Sequence, residues 1–195
     1  MAQGDSAVSI CNAALVALGS DLISSLTDAT KRAALCNLRY DPVRRMVLRM
    51  RPWSCAKKQV QLAASTTPPP FGRQNQFPLP ADFIRLWDEY VDDPYASDDG
   101  FELIGNAVQS DDGGPFDLIY VYDLQDTTQM DALLVQCIAL ALAADIAPAL
   151  TGSKEKQADA QAMLNAILPD ASLVTSQENS PKEWDEDVWL RARDF

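Results

Sequence analysis

The stretch RMRPWSCAKKQVQL, residues 49–62, changes its period halfway along, and the fold turns on that change. Before it, Ala29, Ala33, Cys36, Tyr40, Val43, Val47 and Met50 alternate steps of four and three, the spacing of a helix packed on other helices over residues 28–51. Thr27 or Asp28 can cap that helix at its start. Pro52 closes it, and Arg49 and Arg51 complement the negative end of its dipole. From Lys57 the period becomes two: Val60 and Leu62 alternate with Gln59 and Gln61, so a strand begins. Pro42 inside the helical pattern removes a backbone donor and predicts a kink or a break, with Asp41 as a new cap.

Working outward, residues 6–18 place Ala7, Ile10, Cys11, Ala14, Leu15 and Leu18 at helical spacing, with Asp5 or Ser6 to start and Gly19 to stop. On the other side, 66–76 reads as a loop and 77–91 as a proline-bounded turn followed by a strand. FELIGNAVQ, 101–109, is a hairpin around Gly105-Asn106. FDLIYVYD, 116–123, sets Phe116, Leu118, Tyr120 and Tyr122 on one face. Four or five strands in one compact block are expected. Helical spacing returns from Asp131 to about Leu150, apolar on almost every side, as expected of a central helix. A shorter helix follows over 153–168, with Pro169 as its stop. The fold class is therefore α+β: a mainly helical bundle (1–56 and 127–169), an inserted small antiparallel β domain (57–126), and an extended C-terminal tail (170–195).

The chain has 195 residues, 47% hydrophobic and 23% charged, the profile of a folded domain. The absence of histidine removes Ser/His/Asp and Cys/His catalysis and the usual neutral-pH proton shuttle. Cys11, Cys36, Cys55 and Cys137 form no C-x-x-C pair and read as reduced small hydrophobes. No catalytic residue, metal or cofactor is expected. The N-terminus lacks the basic start of a signal peptide, and the greasy run 132–150 is interrupted by Gln136, Asp145 and Pro148, so a buried helix rather than a membrane span is expected.

Charge is segregated. Residues 31–58 hold nine basic side chains against Asp41, and 81–131 hold fourteen acidic ones against Arg85. Such segments satisfy each other within a fold or between copies of the chain. Arg32, Arg39 and Arg45 lie opposite the apolar stripe of their helix, as a solvated face, a protein contact or a phosphate-tracking surface. Asp145, inside the most apolar helix, needs a partner and is expected to find one among the basic residues of the second helix. The acid pairs at Asp92, Asp98 and Asp111 read as solvated turn residues rather than paired catalytic carboxylates or a calcium loop. Trp184, Trp189, Arg191, Arg193 and Phe195 give an otherwise polar tail the composition of a binding hot spot, on another subunit or on its own bundle.

The order ICNAALVALG, then Ile23-x-Ser25-Leu26-x-Asp28, then CNLRYDPVRRMVLRMRPWSCAKK, then FPLPADFIRLWDEYV, then the Ala-rich helix resembles the tail tubular protein A family. These are the head-to-tail adaptor, or gatekeeper, proteins of tailed bacteriophages. The likeness covers nearly the whole chain. Its most specific element runs Arg44-x3-Leu48-x3-Pro52-Trp53-Ser54-x-Ala56-x-Lys58, then Leu79-Pro80-x-Asp82-Phe83-x-Arg85-Leu86. Pro42 and the WLRAR ending depart from the family's common form. The resemblance implies a non-enzymatic virion protein of the neck, made in the host cytoplasm. It would form a ring of about twelve copies beneath the portal, present its other face to the tail nozzle or tail tube, and let DNA through its lumen without specific binding, with no membrane contact. Another tail component, or a nucleic-acid-binding protein, is the alternative. By the same likeness Pro52 and Trp53 are a structural joint between bundle and insertion. Arg44, Arg45, Arg49 and Arg51, with Trp184, Trp189, Arg191, Arg193 and Phe195, are candidate interface residues.

Overall fold

The computed structural model describes residues 6–87 and 100–178, with side chains described as far as residue 169. Helix α1, Ala7–Ala17, opens on a reciprocal capping box between Ser6 and Ser9. Helix α2, Lys31–Met50, is capped by the Thr30 side chain, three residues later than Thr27. It runs unbroken through Pro42. The proline and Leu38, whose carbonyl it cannot serve, both face water, so the missing bond falls where solvent can replace it. A short 3-10 turn, Ser54–Ala56, leads into strand β1, Lys57–Leu62.

Helix α3, Ala132–Thr151, starts on the Asp131 carboxylate and ends at Gly152, whose φ of 69° suits a left-handed cap. It is long and apolar enough to cross a membrane by length and composition. Here eleven of its residues are buried, and α1, α2 and α4 all pack on it. Helix α4, Lys154–Glu178, overturns the expected stop at Pro169: it continues about two and a half more turns, so residues 170–178 are helix and not extended tail. Pro169 and its i−4 neighbour Asn165 are both exposed, as at Pro42.

Among the described residues between α2 and α3 lie six strands in two three-stranded antiparallel sheets, rather than one block of four or five. One sheet has the order β1-β6-β3, with β3 at Phe83–Leu86 and β6 at Phe116–Tyr122. The other has the order β2-β5-β4: β2, Asn75–Pro78; β4, Glu102–Ile104; β5, Ala107–Ser110. The Gly105-Asn106 hairpin pairs Ile104 with Ala107, and Gly105 takes the positive φ that a two-residue turn of this kind requires.

Strand β6 has two buried faces. Phe116, Leu118 and Tyr120 point toward Leu62, Phe77, Leu79 and Val108, and the Phe77 and Phe116 rings lie 5.4 Å apart. Ile119 and Val121 point the other way, into the helical core, where Trp53, Trp87 and Leu124 also lie. The inserted segment thus has its own small core and lends one strand face to the large one.

Candidate functional site

The residues of the Arg44-to-Lys58 and Leu79-to-Leu86 motif come from α2, the Trp53 turn, β1, the β2–β3 turn and β3, and they meet at a single place. Arg44 leaves α2 on the side facing the sheets and is 1% exposed. Its guanidinium donates to the Asp123 carboxylate, to the Leu124 carbonyl at 2.7 Å and to Asp41 Oδ1 at 3.2 Å. Arg45, one residue on, donates from Nε to the other Asp123 oxygen at 3.0 Å. Asp123 is the first residue past β6, so the end of the central strand is clamped by two arginines of α2.

The clamp continues across the sheet. The Asp123 backbone N–H donates to the Asp82 carbonyl at 2.7 Å. The Asp82 carboxylate accepts from Lys58 Nζ at 2.7 Å and from the Tyr120 hydroxyl at 2.9 Å. Beside this chain Arg49 Nη1 donates to the Ile84 carbonyl at 2.7 Å. Beneath it Trp53, 1% exposed, donates its indole N–H to the Val47 carbonyl at 3.0 Å, serving one of the last-turn acceptors of α2. Lys57 Nζ stands 4.5 Å from the centre of the Trp87 ring.

The electrostatics agree with a lock. Burial pushes the Asp123 carboxyl up, but the Arg44 hydrogen bond and the charges of Arg44 and Arg45 outweigh it, and the group titrates below the usual carboxylate range. Asp82 behaves alike: burial raises it, and bonds from Lys58 and Tyr120 bring it below its ordinary value. Tyr120 is pushed up to about 12, by burial first and then by its bond to Asp82. Carboxylates held ionised by fixed cations, beside a phenol that keeps its proton, offer neither a poised base nor an acid near neutral pH.

Elsewhere the described residues hold no group of three or more His, Cys, Asp or Glu side chains that could take a metal. The cysteine thiols are free. Burial pushes Cys55 up to about 12 and Cys137 up to about 11, and the Cys11 thiol is raised by its hydrogen bond to Cys36 and by burial, so none of these three is activated. Asp145 finds its partner in α2, as expected: Arg39 forks onto it at 2.6 Å and 2.9 Å. Asp111 is held by Arg73 at 2.7 Å, whereas Asp92 and Asp98 lie outside the described residues.

Among the expected interface residues, Arg44 is not at the surface, because two aspartates and a carbonyl hold it in the interior. Arg45 and Arg49 are exposed yet tied to Asp123 and Ile84, and Arg51, the residue that ends α2, is half-buried. Pro52 is half-buried and Trp53 is in the core. Trp184, Trp189, Arg191, Arg193 and Phe195 lie outside the described residues. Sequence reading missed Asp123 and Asp82 as partners. The signal available was positional: each is the acidic residue at one end of a strand, Asp82 just before β3 and Asp123 just after β6. In comparisons with protein-family models and with curated proteins, no family model and no curated protein matches this chain.

Proposed function

We propose that the protein is a structural virion component, a head-to-tail adaptor that forms a ring beneath the portal and joins capsid to tail while DNA passes through. The observation that carries this reading is that both halves of the motif resembling the adaptor family fold into one joint. The Arg44-to-Lys58 half and the Leu79-to-Leu86 half are tied through Asp123, Asp82, Ile84 and Trp53, with no reactive group among them. A motif whose residues are consumed in fixing helix against sheet serves architecture. The α2 cations that a phosphate backbone would need are largely spent on Asp21, Asp145 and Asp123, which weighs against a free nucleic-acid-binding protein. The family likeness further implies about twelve copies, portal on one face and tail nozzle or tube on the other, and a non-enzymatic role.

The test is electron microscopy of the purified protein alone and after mixing with portal rings encoded by the same genome. The expected outcome is a new ring of density beneath the portal, whose symmetry gives the copy number. Bare portals at saturating protein would overturn the adaptor reading.

A further inference from the structure

Helix α2 buries one face in the core and leaves on the other an unbroken ridge at every fourth residue: Ala34, Leu38, Pro42, Met46 and Met50. All five are exposed, with Leu38 at 70%, Met46 at 43% and Met50 at 40%. A ridge of this spacing is the surface on which helices and extended segments pack, and a five-residue apolar row is not what a solvated face needs. Arg45 projects beside it, 56% exposed. Of the seven basic side chains over residues 31–51, Arg32, Arg39 and the Arg44–Arg45 pair meet Asp21, Asp145 and Asp123, whereas Lys31 and Arg49 bond backbone carbonyls, which leaves their charge unneutralised on the helix.

We propose that this ridge is covered, within the same chain, by residues 183–190, EWDEDVWL. Those eight residues hold four carboxylates and no cation, interleaved with Trp184, Val188, Trp189 and Leu190, so both charge and hydrophobicity complement the ridge. The path follows from where the described chain ends. Lys31, at the start of α2, bonds the Ala149 carbonyl, and α4 begins directly after α3, with Lys156 bonding the Leu18 carbonyl. Both helices therefore start at the C-terminal end of α3 and run back toward the sheets. The 25 residues of α4 measure about 37 Å against about 30 Å for α3, so the chain leaves α4 at the same end as Met50. Helices α2 and α4 both pack on α3, and residues 179–183 extend to about 17 Å, the scale of two helix spacings of about 8–10 Å. From there eight extended residues span about 26 Å. The ridge from Ala34 to Met50 is about 24 Å long. The segment would enter at Met50 and run toward Ala34. This inference stands apart from the adaptor reading, since it concerns the protein before any partner is met.

Hydrogen exchange on the full-length protein tests it, comparing wild type with the Leu38→Glu, Met46→Glu double variant. Both substitutions sit at exposed positions, and unchanged protection of the α3 amides verifies that the variant is folded. The expected result is that amides of 184–190 exchange at least about tenfold more slowly than free peptide in wild type and lose that protection in the variant. Free-peptide exchange in wild type, or protection that survives the variant, would overturn the proposal. Protection that fades on about hundredfold dilution would assign the ridge to a second copy of the chain and overturn it equally.

Discussion

Among the described residues, thirty buried side chains make the large core centred on the helices, against six at the centre of the two sheets. The first joins α1, α2, α3 and the described part of α4 in one continuous apolar cluster. The second is small for the ordering of six short strands and their loops, each residue of which costs about 1–2 kcal/mol of backbone entropy. The sheet body therefore leans on its neighbour. It gives one face of β6 and the Trp87 side chain to the large core, and it fastens the end of β6 to α2 through Arg44 and Arg45. In the helical body the apolar pattern sets most of the packing, with Arg39–Asp145 added between α2 and α3 at its wetter edge. In the sheet body the packing depends on a few long-range polar contacts.

The largest expected effect tests the shared boundary. Trp53→Ala removes a side chain that lies wholly inside the large core and caps Val47, and it should cost about 4 kcal/mol or more. Chemical denaturation should show one transition shifted to much lower urea. An unchanged midpoint would mean that the boundary does not depend on Trp53, and the comparison would fail at its first step.

Next in size is the lock itself. Arg44→Ala leaves Asp123 at the edge of the core with the exposed Arg45 as its remaining cation and should cost about 3–4 kcal/mol, whereas the double change Arg44→Met with Asp123→Leu should recover most of that loss. If the double variant is no better than the single, the pair matters for more than charge balance. Acidification probes the same contact from the other side. The folded Asp123 carboxyl lies below its unfolded value, so its contribution is complete above about pH 4 and disappears as pH falls through the folded value. The stability gap between wild type and Asp123→Asn should therefore be widest near neutral pH and close as pH falls below about 4. A gap that is the same at both extremes would sink this account of the lock.

The same contrast sets what could be read from the sequence. Helices α2 and α3 were legible because a 3.6-residue period repeats over 20 residues in each, and β1 because Lys57–Leu62 alternates cleanly. The Gly105-Asn106 turn was legible from its chemistry. Splitting six strands into two sheets was not, since alternation says which side a residue faces and not which strand it pairs with. The prolines misled for one reason. Pro42 and Pro169 each delete a single hydrogen bond, and the sequence does not tell whether the orphaned carbonyl looks at water or at protein. As for the joint, its cations were visible in number, but Arg44 and Asp123 are 79 residues apart, and no local pattern pairs them. Surplus charge on α2 suggested an interface, whereas much of it is spent inside the chain.

Arg39 with Asp145 makes the comparison sharpest, because it repeats the chemistry of Arg44 with Asp123 in a wetter place. The geometry is at least as good, a two-pronged contact at 2.6 Å and 2.9 Å between the same two helices that build the core. What differs is exposure: the two side chains are 42% and 29% exposed, against 1% and 10% for the locked pair. Water can take over either partner when the other is removed, so Arg39→Ala should cost only about 0.5–1 kcal/mol, and less in high salt. Equal losses for Arg39→Ala and Arg44→Ala in parallel denaturation would show that burial does not set the worth of these contacts. A difference of about 2 kcal/mol or more would show that the position of an arginine along α2, and not its pairing alone, decides whether it holds the sheet body in place.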